Sequence, residues 1–185
     1  MKNAVESLLE EDHESLARLL AVLDAALAKP DAAKAFELLD LFWARLAVHI
    51  RGEHLHLFPA LANVPALLFT GKDGLPTSVE AHDLLLCLRS DHDFFMKELA
   101  RTIKAMREIA GSPLPSFEKT EKVRQRLLVI GKRLETHNDL EEGRVYLWTA
   151  LLFDQQTVAA LLDRLRQELK NIPPRFTKDT PPAGQ

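Results

Sequence analysis

A histidine followed four residues later by a glutamate occurs twice in this 185-residue chain, at His49–Glu53 and His137–Glu141. On a helix that spacing stacks both side chains on one face, one turn apart, so imidazole and carboxylate reach a common point. Each pair is preceded by a histidine that follows an aspartate, Asp12-His13 and Asp91-His92. Four neutral imidazoles and two carboxylates suit first-row metals such as Fe, Mn or Zn. The donor count points to two ions, each bound by two histidines and by one oxygen from each of two bridging carboxylates. A bridging oxide or hydroxide adds a further bond and leaves about one open position per octahedral ion, where O2, NO, peroxide or water can bind.

Such a site needs four helices, and the composition supplies them. Leu and Ala number 56 against 14 for Val and Ile, and the ten prolines leave long proline-free windows, including 31–58, 77–112 and 116–172. Proline breaks a helix interior, so these windows are where helices run. Asn3 is expected to start helix 1. Pro30-Asp31 ends it and caps helix 2, Thr77 or Ser78 opens helix 3, and Ser116 opens helix 4. Asp154 restarts the chain as a fifth helix ending near Lys170, and 63–77 forms a longer connection. The predicted fold is all-α: an up-down-up-down four-helix bundle with an additional C-terminal helix over 1–170, and a disordered tail at 171–185.

Each helix carries an apolar seam at 3–4 spacing, interrupted in mid-length by polar residues. The seams run through Val5, Leu9, His13 and Leu16; through Phe42, Leu46, His49, Glu53, His56 and Ala60; through Leu88, His92 and Phe95; and through Leu134, His137, Glu141, Val145 and Trp148. At 1.5 Å per residue, His13 and His49 lie within about 3 Å of one level across the first turn, and His92 and His137 within about 4–5 Å across the second. The halves repeat, with Asp-His recurring after 79 residues and His-x-x-x-Glu after 88.

In these elements the chain resembles the haemerythrin-like (HHE cation-binding) domains. The resemblance covers about residues 4–150 and rests on Asp12-His13, His49-Ile-Arg-Gly-Glu53 with Leu57-Phe58-Pro59, Asp91-His92, and His137-Asn-Asp-Leu-Glu141-Glu142 with Val145-Tyr146. It implies that His13, His49, Glu53, His92, His137 and Glu141 are the iron ligands. Oxygen-carrying haemerythrins have another histidine one turn from the helix 3 ligand, where Leu88 and Met96 stand here. They also place an aspartate five residues after the helix 4 histidine, where this chain has Glu141 at four. The expected centre is therefore more symmetric and less saturated, a binuclear iron site that binds or senses O2 or NO. Turnover of peroxide or NO in stress defence, and iron storage or donation, are the alternatives, since all three need the same ligands.

The remaining chemistry-bearing residues have plainer expectations. His56 lies on the helix 2 seam as a candidate additional ligand or outer contact, while His54 and His82 belong at the surface. Asp12, Asp91 and Glu142 either accept bonds from ligand histidines on other helices or face solvent. Gly52 and Gly143 allow close approach or are merely tolerated. Tyr146 and Trp148 read as packing residues, and Cys87 as a small buried hydrophobe. The fifth helix docks on the bundle or on a second copy, which leaves a homodimer open. A balance of 24 Lys+Arg against 27 Asp+Glu argues against a nucleic-acid partner. No run is long and apolar enough for a membrane span, and the acidic start does not read as a signal peptide. A soluble cytoplasmic protein is expected.

Overall fold

The computed structural model describes residues 2–29, 31–113 and 116–176. Seven α-helical stretches follow in order: α1 (Ala4–Leu27), α2 (Ala32–Gly52), α3 (Phe58–Ala62), α4 (Ser78–Ala110), α5 (Phe117–Leu140), α6 (Tyr146–Leu152) and α7 (Gln155–Lys170). α2 and α3 are one rod joined by a π-helical turn, Glu53–Leu57, and α5 and α6 are another, joined by Glu141–Val145. The expected caps are in place. Asn3 accepts from the amides of Val5 and Glu6, Asp31 from Lys34, Thr77 from Glu80, Ser116 from Lys119, and Asp154 from Thr157. Glu6 and Glu80 reach back to the cap amides and complete capping boxes, which satisfy amides that lack a helical partner. Pro30 and Pro115, expected beside these caps, lie outside the described residues.

Cross-helix contacts fix the topology as up-down-up-down. Asp24, late in α1, pairs with Arg124, early in α5, at 2.7 Å, while Asn3 at the other end bonds Thr149 of α6 at 2.7 Å. Arg107, late in α4, lies over the ring of Phe36, early in α2, at 5.7 Å. α7 lies outside this bundle and packs on α1 and α2. It buries Leu161, Leu162 and Leu165, and Arg51 of α2 pairs with Glu168. Gly52 serves close approach, because a Cβ there would already touch Leu165 Cδ2 at 3.4 Å; Gly143 has nothing within 4 Å and is only tolerated. The fifth helix therefore covers its own bundle. Pro174–Phe176 forms a 3-10 turn tied by Arg175 to Asp40, and 177–185 of the expected tail lie outside the described residues.

Two apolar clusters divide the interior. One gathers Leu16, Leu39, Phe42, Phe95, Leu99, Ile130 and Leu134; the other gathers Val5, Leu9, Leu57, Phe58, Leu88, Val145 and Trp148. The seam histidines and glutamates form a polar layer between them. Past Glu53 the expected seam slips: Leu57, Phe58 and Leu61 are buried, whereas His56 and Ala60 are only half-buried. The cause is the π-turn, which adds a residue to one turn and rotates everything beyond it. Pro59 follows directly on the π-turn, in the first turn of α3. Cys87 is exposed, contrary to the expected burial, because Leu88 takes the inward direction and its neighbour points about 100° away.

Leu165 is fully buried between α7 and the bundle, so Leu165→Ala should cost about 2–5 kcal/mol. The measurement is the urea midpoint at unchanged slope. Val79→Ala, at a position 69% exposed, should shift stability by no more than about 0.5 kcal/mol.

Candidate metal centre

The six residues expected to act together do meet. His13 from α1, His49 from α2, His92 from α4 and His137 from α5 project inward at one level, with Glu53 and Glu141 each opening a π-turn, and none is more than 3% exposed. His13 Nε2 and His49 Nε2 stand 3.0 Å apart, and His92 Nε2 and His137 Nε2 stand 2.9 Å apart. Each carboxylate offers one oxygen to each histidine pair. Glu53 Oε1 is 3.6 Å from His49 Nε2, with Oε2 3.3 Å from His92 Nε2. Glu141 Oε2 is 3.4 Å from His13 Nε2, with Oε1 3.1 Å from His137 Nε2. Donor atoms of His13, His49, Glu53 and Glu141 all lie within 4.8 Å of one another, as do those of His92, His137 and Glu141.

The outer faces of the imidazoles settle their tautomers. His49 Nδ1–H donates to Asp12 Oδ2 at 2.9 Å, His13 Nδ1–H to Glu142 Oε1 at 2.8 Å, and His137 Nδ1–H to Asp91 Oδ2 at 3.3 Å. Asp12 and Asp91 are held in turn by Arg45 and Arg133. An ionised carboxylate only accepts, so each of these Nδ1 atoms carries a proton, and in its neutral form each ring turns a bare Nε2 lone pair inward. Asp12, Asp91 and Glu142 are thus outer partners of the histidines. His92 Nδ1 meets His54 Nε2 at 2.8 Å, so His54 belongs to the site rather than to the surface. His56 does not: its ring points to Glu168 of α7, 3.9 Å away.

Sequence reasoning missed Tyr146. Its single hydroxyl proton lies among three acceptors, Glu53 Oε1 at 2.8 Å, His13 Nε2 at 3.1 Å and Glu141 Oε2 at 3.2 Å. The opposite oxygens, Glu53 Oε2 and Glu141 Oε1, are buried with no hydrogen-bond partner among the described residues. A carboxylate oxygen buried without a donor is costly, and where both rings of a pair are neutral with bare Nε2 atoms their lone pairs repel at these distances. A cation shared among them removes both costs, and N and O donors in this ratio match first-row ions. The residues therefore fit a metal centre. A signal for the tyrosine did exist, since Phe58 and Tyr146 each stand five residues after a ligand-type glutamate.

Without a cation, protons take its role. Burial opposes a charge on His49, but Glu53 and Asp12 raise it well above its ordinary value. Burial likewise opposes His13 and His137, and Glu141, with Glu142 or Glu53, raises them. Burial carries His92 down to about 2, assisted by the neighbouring imidazoles and opposed by Glu141. Burial and the charge of Glu141 raise Glu53, while His13 and His137 overcome burial to hold Glu141 well below the carboxylate range. Burial and the two carboxylates lift Tyr146 well above 10.

This geometry, a four-helix bundle with a buried histidine–carboxylate cluster open to a metal ion, defines a class of cation-binding bundles. The chain belongs to the hemerythrin HHE cation-binding domain family, whose model matches residues 5–149. No curated protein and no solved structure matches it significantly.

Two outcomes are expected. A metal ion held by this cluster would have to displace protons from His13, His49 and His137, whose protonated forms are favoured in the free site. Apparent affinity should therefore fall as pH drops through their raised values, with protons released on binding, as calorimetry in buffers of different ionisation enthalpy would report. Tyr146→Phe removes a buried donor from the carboxylates and should destabilise the metal-free protein by about 1–3 kcal/mol in urea unfolding.

Proposed function

We propose that this chain is a binuclear non-haem iron protein that binds or senses a small diatomic ligand, O2 or NO, with His13, His49, Glu53, His92, His137 and Glu141 as the metal ligands. The observation that carries the reading is the split of each glutamate between the two histidine pairs, which suits two neighbouring ions better than one. Two iron ions held by these residues would supply exchangeable positions and redox electrons. The protein's own part is to hold bare Nε2 atoms inward, to fix the ring planes through the Nδ1 partners, and to exclude bulk water. Burial of all six residues restricts the ligand to a very small molecule. No helix among the described residues is long and apolar enough to cross a membrane.

A second reading, turnover of peroxide, is favoured by Tyr146. Three of the four Nδ1 protons point outward to carboxylates, whereas the phenol aims its O–H into the cluster and holds that proton firmly. It is placed to give a proton to a small oxidant or to retain one near it.

Protein from iron-supplied cells should contain about two irons per chain by mass spectrometry. Its diferrous form should change its visible spectrum on anaerobic addition of NO, or on addition of O2. Glu141→Ala, which withdraws an oxygen from each position, should lower iron content to well below one per chain. Iron-loaded protein indifferent to both gases would overturn the binding reading. Repeated O2 release from peroxide, slowed about tenfold or more in Tyr146→Phe at unchanged iron content, would establish the second.

A further inference from the structure

The 88-residue repeat extends beyond the His-x-x-x-Glu motif and brings an asymmetry with it. Arg45 and Arg133, which hold the two aspartates, are related by 88, as are Glu53 and Glu141 and the two π-turns they open. The residue after each glutamate reaches the Nδ1 of the Asp-His histidine in the other half. In one half that residue is Glu142, on His13 at 2.8 Å; in the other it is His54, on His92 at 2.8 Å. The repeat thus places an imidazole where its twin has a carboxylate.

The consequence lies in ligand strength. A carboxylate accepting from Nδ1–H makes the imidazole a stronger donor at Nε2, and a neutral imidazole does so less. His13 and His49 both have carboxylate partners, Glu142 and Asp12. Of the other pair, His137 has Asp91 at the longer distance of 3.3 Å, with Arg133 drawing on that carboxylate through two bonds, and His92 has only His54. On that side Arg89 lies 5.4 Å above Phe58, whose ring stacks on His92, while the charges of Arg89 and Asp93 act on His54 in opposite senses.

We propose that the two metal positions are unequal and that His54 sets the difference: the ion between His13 and His49 enters first and is held more tightly, and the ion between His92 and His137 enters last and leaves first. This rests on the binuclear reading above. His54 is a positioning residue, acting through His92, and the weaker position is the one from which metal exchanges.

The test is stepwise loading of metal-free protein with Co(II), followed by its visible ligand-field spectrum and by competition with a chromophoric chelator. Two steps separated by about tenfold or more are expected. His49→Ala should abolish the tight step, and His137→Ala the weak one. His54→Glu, which restores the repeat's own carboxylate, should tighten the weak step by about tenfold or more and leave the tight step unchanged. His54→Gln, whose amide oxygen replaces the ring nitrogen, should stay near the native value, whereas His54→Ala should weaken the weak step further. Thermal midpoints of the metal-free variants within a few degrees of the parent show that folding is not the cause. Two ions of one indistinguishable affinity, or a His54→Glu effect on the tight step, would overturn the inequivalence. Uptake of fewer than two ions by the native chain would overturn the binuclear reading itself.

Discussion

Inward imidazole nitrogens from four helices and two buried carboxylates, packed between clusters of leucine and phenylalanine, need positive charge among them, as protons or as a metal ion. The rest of the bundle is arranged around that constraint. The polar layer lies between two apolar clusters, so the helices can pay for it with hydrophobic contacts on either side. Bringing donors from four helices to one level also demands helices long enough to run past it. α4, at 33 residues, is the longest.

Holding those donors in place is the task of a shell the motifs do not mention. Asp12 and Asp91 each reach across to a histidine of the next helix and are anchored by an arginine of that same helix. Each ring is thereby fixed in tautomer and orientation from a neighbouring helix, so the site also clamps the bundle together. The π-turns complete the geometry. By starting at Glu53 and Glu141 they turn the following aromatic residue inward, so that Phe58 stacks on His92 and Tyr146 reaches the carboxylates.

The near-symmetry of the halves makes their differences informative. Tyr146 corresponds to Phe58, and the oxygens on the phenylalanine side are the ones left without a partner. Glu142 corresponds to His54, and this second pair gives one inward histidine, His92, an imidazole partner instead of a carboxylate. The repeated halves therefore offer the same inner donors in different surroundings, and on the binuclear reading proposed above this would let two ions take different roles.

Proline placement, caps and seam periodicity made the helices legible, and the His-x-x-x-Glu and Asp-His spacings made the six converging residues legible, because both depend on local geometry with a known period. The resemblance stood on the same residues. Other features were decided only by the tertiary structure. No local pattern marks the π-turns, so seam spacing alone makes His56 a candidate additional ligand or outer contact, whereas the register slip past Glu53 turns it toward Glu168. The Nδ1 partners, His54 among them, lie 37 to 129 residues from the rings they hold, and sequence neighbours on a helix face different ways. Whether Asp12 or Glu142 met a histidine or water depended on how helices pack side by side. Periodicity along each helix specifies the helices and the inner donors. Only the packed bundle decided which outer groups tune those donors, because that depends on distances between helices.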